Sequence, residues 1–324
     1  MNKIVLFGTY PDKGINYFKE HCAGKYELVL ASTYEELEAN SDAAYVVLRG
    51  PAMPAERIKA MKGAKLFHRW GVGFNDVDIK QAGEQGAYVC ITAGMNAQPV
   101  AEHAALLMLA SFRHLTAHME NAKKGIMYGG PVISDSWMIN GRRVGILGMG
   151  AIGRKVAKIV QGFGAEVVYY DAFRLPEETE RELNVTFLSL EEVFKTADII
   201  SLHMPLLDST RRMIDAHALS MMKPDMLIVN TARGEIIDTD ARLAAVRERR
   251  IWGAALDTVE GEPLPPDHPI FSEPHILLTP HVGGNTEDNI VNMAACIFGN
   301  IETLERGEQL APRFIVNKQY LKNE

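Results

Sequence analysis

GRRVGILGMGAIGRKVAKIVQGFGAEVVYYD, residues 141–171, decides how this chain is read. Val144, Ile146 and Leu147 form a short apolar run that ends in glycine. Gly148, Gly150 and Gly153 follow at G-x-G-x-x-G spacing. Ile152, Val156, Ile159, Val160 and Phe163 then recur every three or four residues, the period of one helix face. Val167 to Tyr170 make a second strand candidate, and Asp171 ends it. The order is strand, glycine turn, helix, strand, acid.

Each part suits a dinucleotide. Gly148 permits a tight turn, Gly150 lets a pyrophosphate approach bare backbone, and Gly153 allows close packing of helix on strand. The free N–H groups of the helix start face the phosphates. Asp171 can accept hydrogen bonds from ribose hydroxyls and would repel a 2′-phosphate, which favours NAD over NADP. Arg174 stands close enough in sequence to soften that preference. In a chain with 27 glycines the glycine spacing alone is a weak signal, and a ligand-free strand-turn-helix could carry it. The flanking strands and the acid 18 residues after Gly153 make it specific.

The chain has 324 residues, enough for two domains. It is 47% hydrophobic and 23% charged, ordinary for a globular protein. A net charge of −7 gives no electrostatic footprint for nucleic acid or an anionic membrane. Cys22, Cys90 and Cys296 lack metal or redox spacing and read as buried thiols. No metal site is expected. The N-terminal apolar run is too short for a signal peptide, and the Ala104–Phe112 run too short for a membrane span, so a cytoplasmic location is expected.

Residues 1–98 alternate strand candidates (Ile4–Phe7, Leu28–Leu30, Tyr45–Leu48, Leu66–His68, Tyr88–Ile91) with helical patterns near 13–23, 34–40, 54–62 and 76–85. Such alternation implies a parallel sheet with helices on both faces. Two loops stand where ligands bind such sheets: Arg49-Gly50-Pro51, and Arg69-Trp70-Gly71-Val72-Gly73-Phe74-Asn75. Gly71 and Gly73 make either a plain turn or an anion site assisted by Arg49 or Arg69. Pro99 opens one long helical pattern, Val100 to about Lys124, more apolar than one face requires. Residues 125–140 read as an irregular arm. Further strand candidates are Ile199–Leu202, Leu227–Asn230, Ala254–Leu256 and Ile276–Leu278, with helices near 190–196, 216–222 and 238–250, completing a sheet of about six strands. A last helix, Thr286 to about Arg306, returns to the first domain. The expected division is 1–98 with 285–324, and 99–284.

Three late strands end in polar residues: Arg233 after Leu227–Asn230, Asp257 to Glu262 after Ala254–Leu256, and His281 after Ile276–Leu278. Singly, Arg233 could be a surface ion pair, Glu262 a loop acid and His281 a structural cap. Together at one carboxyl edge, beside a dinucleotide turn, they make a coherent hydride-transfer site.

RWGVGFNDVDI, VAEHAALLMLASFR, GILGMGAIG, LHMPLLDSTRRMI, NTARGEIID, ALDTVEGEPL and LLTPHVGGNT span nearly the whole chain. In these stretches and in their order the chain resembles the D-isomer-specific 2-hydroxyacid dehydrogenase family. The resemblance implies an α/β protein of two doubly wound parallel-sheet domains, a flavodoxin-like substrate domain and a Rossmann NAD-binding domain, with a cleft between them. It implies that Arg233 binds the substrate carboxylate and carbonyl, that His281 is the acid/base, and that Glu262, which directly precedes the proline, tunes it. It implies cofactor contacts at Gly148, Gly150, Ala151, Ile152, Gly153, Asp171, His203, Pro205, Thr210, Thr231, Ala232, Asp257, Gly283 and Gly284. It implies substrate contacts at Arg49, Trp70, Val72, Gly73 and Asn75. A small 2-oxo or 2-hydroxy acid is the implied substrate, and a homodimer through about residues 100–140 the implied assembly.

Departures are Gln98-Pro99 before the VAEH stretch, bulky Trp70 beside the carboxylate loop, where it would restrict substrate size, and Gly50 after Arg49. Phosphoglycerate, glycerate and lactate-type activities stay open, with a lean toward a small polar 2-oxo acid. A non-catalytic NADH-sensing protein of the same fold is the competing reading. Glu262 argues against a formate dehydrogenase, in which an amide replaces the acid.

Overall fold

The computed structural model describes residues 1–127 and 135–321. Among these residues the chain divides into two units, one of Met1–Asn96 with the chain from Asn285 onward, the other Ala97–Gly284. The first unit holds strands β1 (Asn2–Gly8), β2 (Tyr26–Ala31), β3 (Tyr45–Arg49), β4 (Leu66–Arg69) and β5 (Tyr88–Cys90), all parallel, in the order β2-β1-β3-β4-β5. That order is the flavodoxin-like doubly wound arrangement. Period-two alternation sends Ile4 and Leu6 into one core layer and Val5 and Phe7 into the other, so the strands read as continuous apolar runs. Helices α1 (Asp12–Cys22), α2 (Tyr34–Glu38), α3 (Ala55–Ala60) and α4 (Ile79–Glu84) connect them.

The second unit holds β6 (Arg143–Leu147), β7 (Glu166–Tyr170), β8 (Thr186–Phe187), β9 (Ile199–Leu202), β10 (Leu227–Asn230), β11 (Gly253–Leu256) and β12 (Ile276–Leu278). Their order, β12-β11-β10-β9-β6-β7-β8, is the dinucleotide-binding order extended by one strand, with its switch point between β6 and β9. Leu227 and Val229 face one core layer and Ile228 the other. The seventh strand, β8, escapes sequence reading because two residues carry no periodicity.

The single long helix expected from Val100 to Lys124 is instead two: α5 (Ala97–Phe112) and α6 (Leu115–Lys123). His114 between them takes a left-handed conformation, φ 43°. The Phe112 carbonyl accepts from the Trp137 N–H (2.9 Å), and His114 Nε2 lies 2.9 Å from the Asp135 carbonyl. The Trp137 N–H thus takes the Phe112 carbonyl that would have accepted the next helix bond, and the ring contact to Asp135 holds His114 in the break. Most of the arm expected at 125–140 lies outside the described residues. α7 (Ala151–Gly162) follows the glycine turn and buries Gly153, Val156, Ala157 and Val160. α8 (Glu177–Leu183), which the sequence hides because EETEREL has almost no apolar period, precedes α9 (Leu190–Thr196), α10 (Ala216–Ser220) and α11 (Thr239–Arg247). α12 (Glu287–Glu305) packs on α1.

Beyond α12 the chain is tied to the sheet edge by backbone bonds, Ile91 N–H to the Phe314 carbonyl (2.9 Å) and Val316 N–H to the Val89 carbonyl (3.0 Å), and by one side chain. Asn317 is fully buried; its Oδ1 accepts from Val89 N–H (2.9 Å), and its Nδ2 donates to the Ala87 carbonyl (2.9 Å). Among the described residues no helix is long and apolar enough to cross a membrane. Asn317→Ala would strand two buried backbone groups at β5, at a cost of about 2–4 kcal/mol. A lower urea midpoint and faster amide exchange at Val89 are expected; a midpoint equal to wild type would contradict this anchoring.

Candidate active site

The glycine turn shows which glycines the chain itself needs. Gly148 has φ +97°, and a Cβ there would lie 2.8 Å from the His203 carbonyl carbon. A Cβ on Gly153 would lie 2.1 Å from the Gly148 carbonyl oxygen. Gly150 differs: its backbone is extended and a Cβ there would meet nothing within 4 Å, so no neighbour demands glycine. It is the N-cap of α7 and makes no side-chain cap, and Ala151, Ile152 and Gly153 form the first turn. A bare, open helix start of this kind fits a pyrophosphate. Two buried polar atoms at nearby strand ends, His203 Nδ1 and Thr231 Oγ1, have no partner among the described residues, which also fits a bound polar group. Burial holds the His203 imidazole neutral, its pKa pushed down to about 3.

Asp171 follows β7, and its Oδ2 accepts from the Met149 N–H (2.7 Å) while Oδ1 accepts from Phe173 N–H (3.0 Å). The acid is therefore oriented by the glycine turn. The Thr210 hydroxyl is turned into its own loop, donating to the Pro205 carbonyl (2.7 Å) and accepting from Leu207 N–H (2.8 Å). Thr210 and Pro205 thus shape the loop after β9.

At the carboxyl ends of β10, β11 and β12 the structure gathers Arg233, Asp257, Glu262 and His281. Buried Asn230 sets Arg233: its Nδ2 donates to the Arg233 carbonyl (2.8 Å), and its Oδ1 accepts from Ala232 N–H (2.9 Å). Gly234 then packs so closely on the next strand's loop that a Cβ would lie 2.0 Å from the Val259 carbonyl carbon.

Asp257, 3% exposed, organises the loop that carries His281. Its Oδ1 accepts from the Thr279 hydroxyl (2.6 Å) and Val282 N–H (2.9 Å), and its Oδ2 from Gly283 N–H (2.8 Å). His103 on α5 approaches from behind, with Nε2 2.9 Å from Thr279 Oγ1 and 3.3 Å from Asp257 Oδ1. Burial alone would raise the Asp257 pKa, but these hydrogen bonds outweigh it and hold it at about 2. The Asp257 carbonyl also accepts from His281 N–H (2.9 Å), and His281 takes a left-handed backbone, φ 52°.

The His281 ring points its Nδ1 at Glu262 Oε2, 2.9 Å away, leaving Nε2 for a reacting group. Glu262 Oε1 accepts from Val259 N–H (3.0 Å), which fixes the carboxylate. The hydrogen bond to Glu262 raises the His281 pKa, against burial and the nearby Arg233 charge. For Glu262, burial pushes the pKa up, but the hydrogen bonds from His281 and Val259 N–H lower it overall. The pair therefore favours carboxylate and imidazolium together. Glu262, His281, Leu264, Phe271 and Leu278 border a cavity of about 720 Å³.

The remaining candidates lie in the first unit. Arg49, the last residue of β3, donates from Nη1 to the carbonyl of Thr9, just past β1. Val72 and Gly73 donate their N–H groups to no backbone acceptor among the described residues, and Asn75 is exposed. Arg69 braces this loop, with Nε donating to the Gly73 carbonyl (3.0 Å) and Nη2 3.2 Å from Asp76. The Trp70 indole is a core group, packed on Tyr10, Phe18 and Gly14, and so supports the loop from within. A large apolar ring next to a glycine loop could face either way, and the space over Gly14 decides it.

Sequence reading misses Asn230 and His103. Both stand inside the family-like stretches, Asn230 as a polar residue closing an apolar strand and His103 as a polar residue in an apolar helix. Among the described residues no group of three or more His, Cys, Asp or Glu is placed to hold a metal.

Because the His281 pKa is raised, its protonated form persists above the ordinary 6.5 and is lost as pH rises through the raised value. In Glu262→Gln the His281 imidazole should titrate lower, toward or below 6.5, by histidine NMR. An unmoved titration would contradict the pair.

The family model described as D-isomer specific 2-hydroxyacid dehydrogenase, NAD binding domain, matches residues 105–283. A glyoxylate reductase of Korarchaeum cryptofilum (strain OPF8) is 32% identical over 330 residues, covering 99% of this chain and 97% of that protein. A glyoxylate reductase structure from Paecilomyes thermophila superposes with a TM-score of 0.86 at 27% identity, covering 98% of this chain and 99% of that one. An NAD-dependent formate dehydrogenase from Staphylococcus aureus, in complex with NAD, gives 0.86 at 26% identity, covering 97% and 98%. The two parallel sheets, the glycine turn and these matches place the chain in the D-isomer-specific 2-hydroxyacid dehydrogenase family, as an oxidoreductase that uses a nicotinamide dinucleotide.

Proposed function

We propose that the chain reduces a small 2-oxo acid of the glyoxylate class to its D-2-hydroxy acid, or to the achiral product where the substrate is glyoxylate itself. The observation that carries this reading is the 2.9 Å His281–Glu262 pair, with its raised imidazole pKa, beside Arg233. When bound, a reduced nicotinamide supplies the hydride to the carbonyl carbon. Arg233 offers a planar, permanently charged fork that matches a carboxylate and the neighbouring carbonyl oxygen. His281 Nε2 gives its proton to that oxygen as charge develops there. Glu262 keeps the imidazole protonated and oriented through Nδ1. Gly148, Gly150, Ala151, Ile152 and Gly153 hold the phosphates, with His203, Thr231, Ala232, Gly283 and Gly284 along the strand ends. Asp257 acts mainly through the His281 loop, since its carboxylate is already surrounded by donors.

NAD is the preferred form of the cofactor. Asp171 opposes a 2′-phosphate, and Arg174, the cation that could have offset it, is engaged in a two-pronged pair with Glu180, 2.9 Å at each contact. The second unit is the NAD-binding domain and the first the substrate domain. The chain forms a homodimer through α5 and α6, which expose Leu106, Leu109, Leu115 and Met119 next to Ile126 and Met127. Part of the segment expected to pair, 128–134, lies outside the described residues.

Loss of NADH absorbance at 340 nm tests the activity with glyoxylate, hydroxypyruvate, 3-phosphohydroxypyruvate, pyruvate and 2-oxoglutarate. Glyoxylate or hydroxypyruvate should be preferred, and NADPH should serve far less well than NADH. Arg233→Ala should cut kcat/KM about a hundredfold, the loss of roughly 3 kcal/mol from a charge-assisted contact; near-normal kinetics would sink its assignment. Light scattering should give twice the 35.9 kDa chain mass, and Leu106→Glu with Met119→Glu should give the monomer. A wild-type monomer would overturn the proposed assembly.

A further inference from the structure

His68, on β4, has no exposure, and the proposed reaction does not use it. Its ring lies between two fixed groups. Nδ1 is 3.0 Å from the Arg69 carbonyl, and Nε2 is 2.9 Å from the side-chain amide nitrogen of Asn300. Asn300 is on α12 and is itself buried.

These contacts leave one assignment of protons. A carbonyl oxygen only accepts, so Nδ1 carries the proton. In the neutral ring Nε2 then accepts, and the Asn300 amide donates to it. Burial keeps the ring neutral, pushing its pKa down to about 4 against the hydrogen bond to the Arg69 carbonyl, which raises it.

The Arg69 carbonyl needs this donor because the sheet stops supplying one. Tyr88 N–H bonds the Lys65 carbonyl (2.9 Å). Four residues on along both parallel strands, Thr92 N–H would meet the Arg69 carbonyl. It bonds the Gly71 carbonyl instead (2.9 Å), and His68 takes its place at Arg69. The same arginine reaches forward along the loop: Nε donates to the Gly73 carbonyl (3.0 Å), and Nη2 lies 3.2 Å from Asp76. The loop that presents the Val72 and Gly73 N–H groups is thus held through both the backbone and the side chain of Arg69.

We propose that His68 is a positioning residue for substrate binding: Asn300 fixes its tautomer, and its Nδ1–H holds the Arg69 carbonyl so that the 69–75 loop turns the Val72 and Gly73 N–H groups to the substrate carboxylate. The proposal rests on the reading of the first unit as the substrate domain, with Val72 and Gly73 as carboxylate contacts.

Stabilisation alone and positioning differ in their kinetics. A buried pair that only stabilises the fold lowers the melting temperature and leaves the kinetics of the folded molecules unchanged. A contact that places carboxylate donors acts on the ground state and the transition state alike, so its loss raises KM with little change in kcat.

The test joins long-range proton–nitrogen NMR of the full chain to glyoxylate kinetics. In wild type the His68 ring should show a protonated Nδ1 and a bare Nε2 at neutral pH; the opposite tautomer overturns the relay. In His68→Leu, KM for glyoxylate should rise about tenfold, as small misplacements of binding groups do, with kcat far less affected and NADH affinity unchanged. The Val72 and Gly73 amide signals should shift. If His68→Leu does not fold, Asn300→Leu, which frees the ring to take either tautomer, should raise KM in the same direction. A wild-type KM in folded His68→Leu, or in Asn300→Leu, overturns the proposal. A wild type that reduces none of the 2-oxo acids would overturn the functional reading alone, because the tautomer and the Val72 and Gly73 signals still decide whether His68 orders the loop.

Discussion

The Asp257 carboxylate is the interaction on which the arrangement of the second unit's polar edge depends. It is buried at the end of β11, and charge in that setting must be met by donors. It finds them in the next strand's loop: the Thr279 hydroxyl and the N–H groups of Val282 and Gly283. Those donors flank His281 on both sides, and the Asp257 carbonyl takes the His281 N–H as well. The chain is wrapped around the carboxylate so tightly that His281 adopts a left-handed backbone. That conformation carries the imidazole to Glu262. A Cβ at position 283 would lie 2.9 Å from Asp257 Oδ2, which is why the loop continues in glycine.

The parallel sheet supplies the second constraint. Every strand of the unit runs the same way, so the residues that follow β10, β11 and β12 come out side by side. Arg233, Glu262 and His281 are far apart along the chain, yet each is one loop away from a strand end. Buried amide and carboxylate groups then do the fine placement. Asn230 closes the turn before Arg233, Val259 N–H holds Glu262, and Asp257 holds His281. Hydrogen bonds from buried or half-buried groups thus fix the candidate residues at the strand ends. Since burial and charge pull the Glu262 and His281 pKa values in opposing directions, their 2.9 Å contact decides the outcome.

The chain is legible from sequence where periodicity is strong. The runs ending at Leu147, Leu202, Asn230 and Leu256 are buried on both faces, and so are apolar at almost every position. Legibility fails where local pattern is absent or outcompeted. β8 is too short to show a period, and α8 is too charged. The break at His114 is invisible locally because the partners are more than twenty residues later: Trp137 N–H takes the Phe112 carbonyl, and Asp135 holds the His114 ring. Trp70 reads as a bulky group bordering the carboxylate loop, and only the structure shows that Gly14 makes room for its indole in the core.

The sequence by itself determined the fold class, the dinucleotide turn and the identity of the residues at the strand ends. Those follow from short-range physics: side-chain period, the conformational freedom of glycine, and the rule that parallel strands deliver their loops to one edge. Only the tertiary structure decided that Val259 N–H fixes Glu262 beside His281, which donors surround Asp257, that Arg174 belongs to Glu180, and that Arg242 is fully buried. Each is a contact between groups distant in sequence or a choice between neighbouring side chains. Such contacts depend on where packed backbones leave space, a property no local window of residues contains.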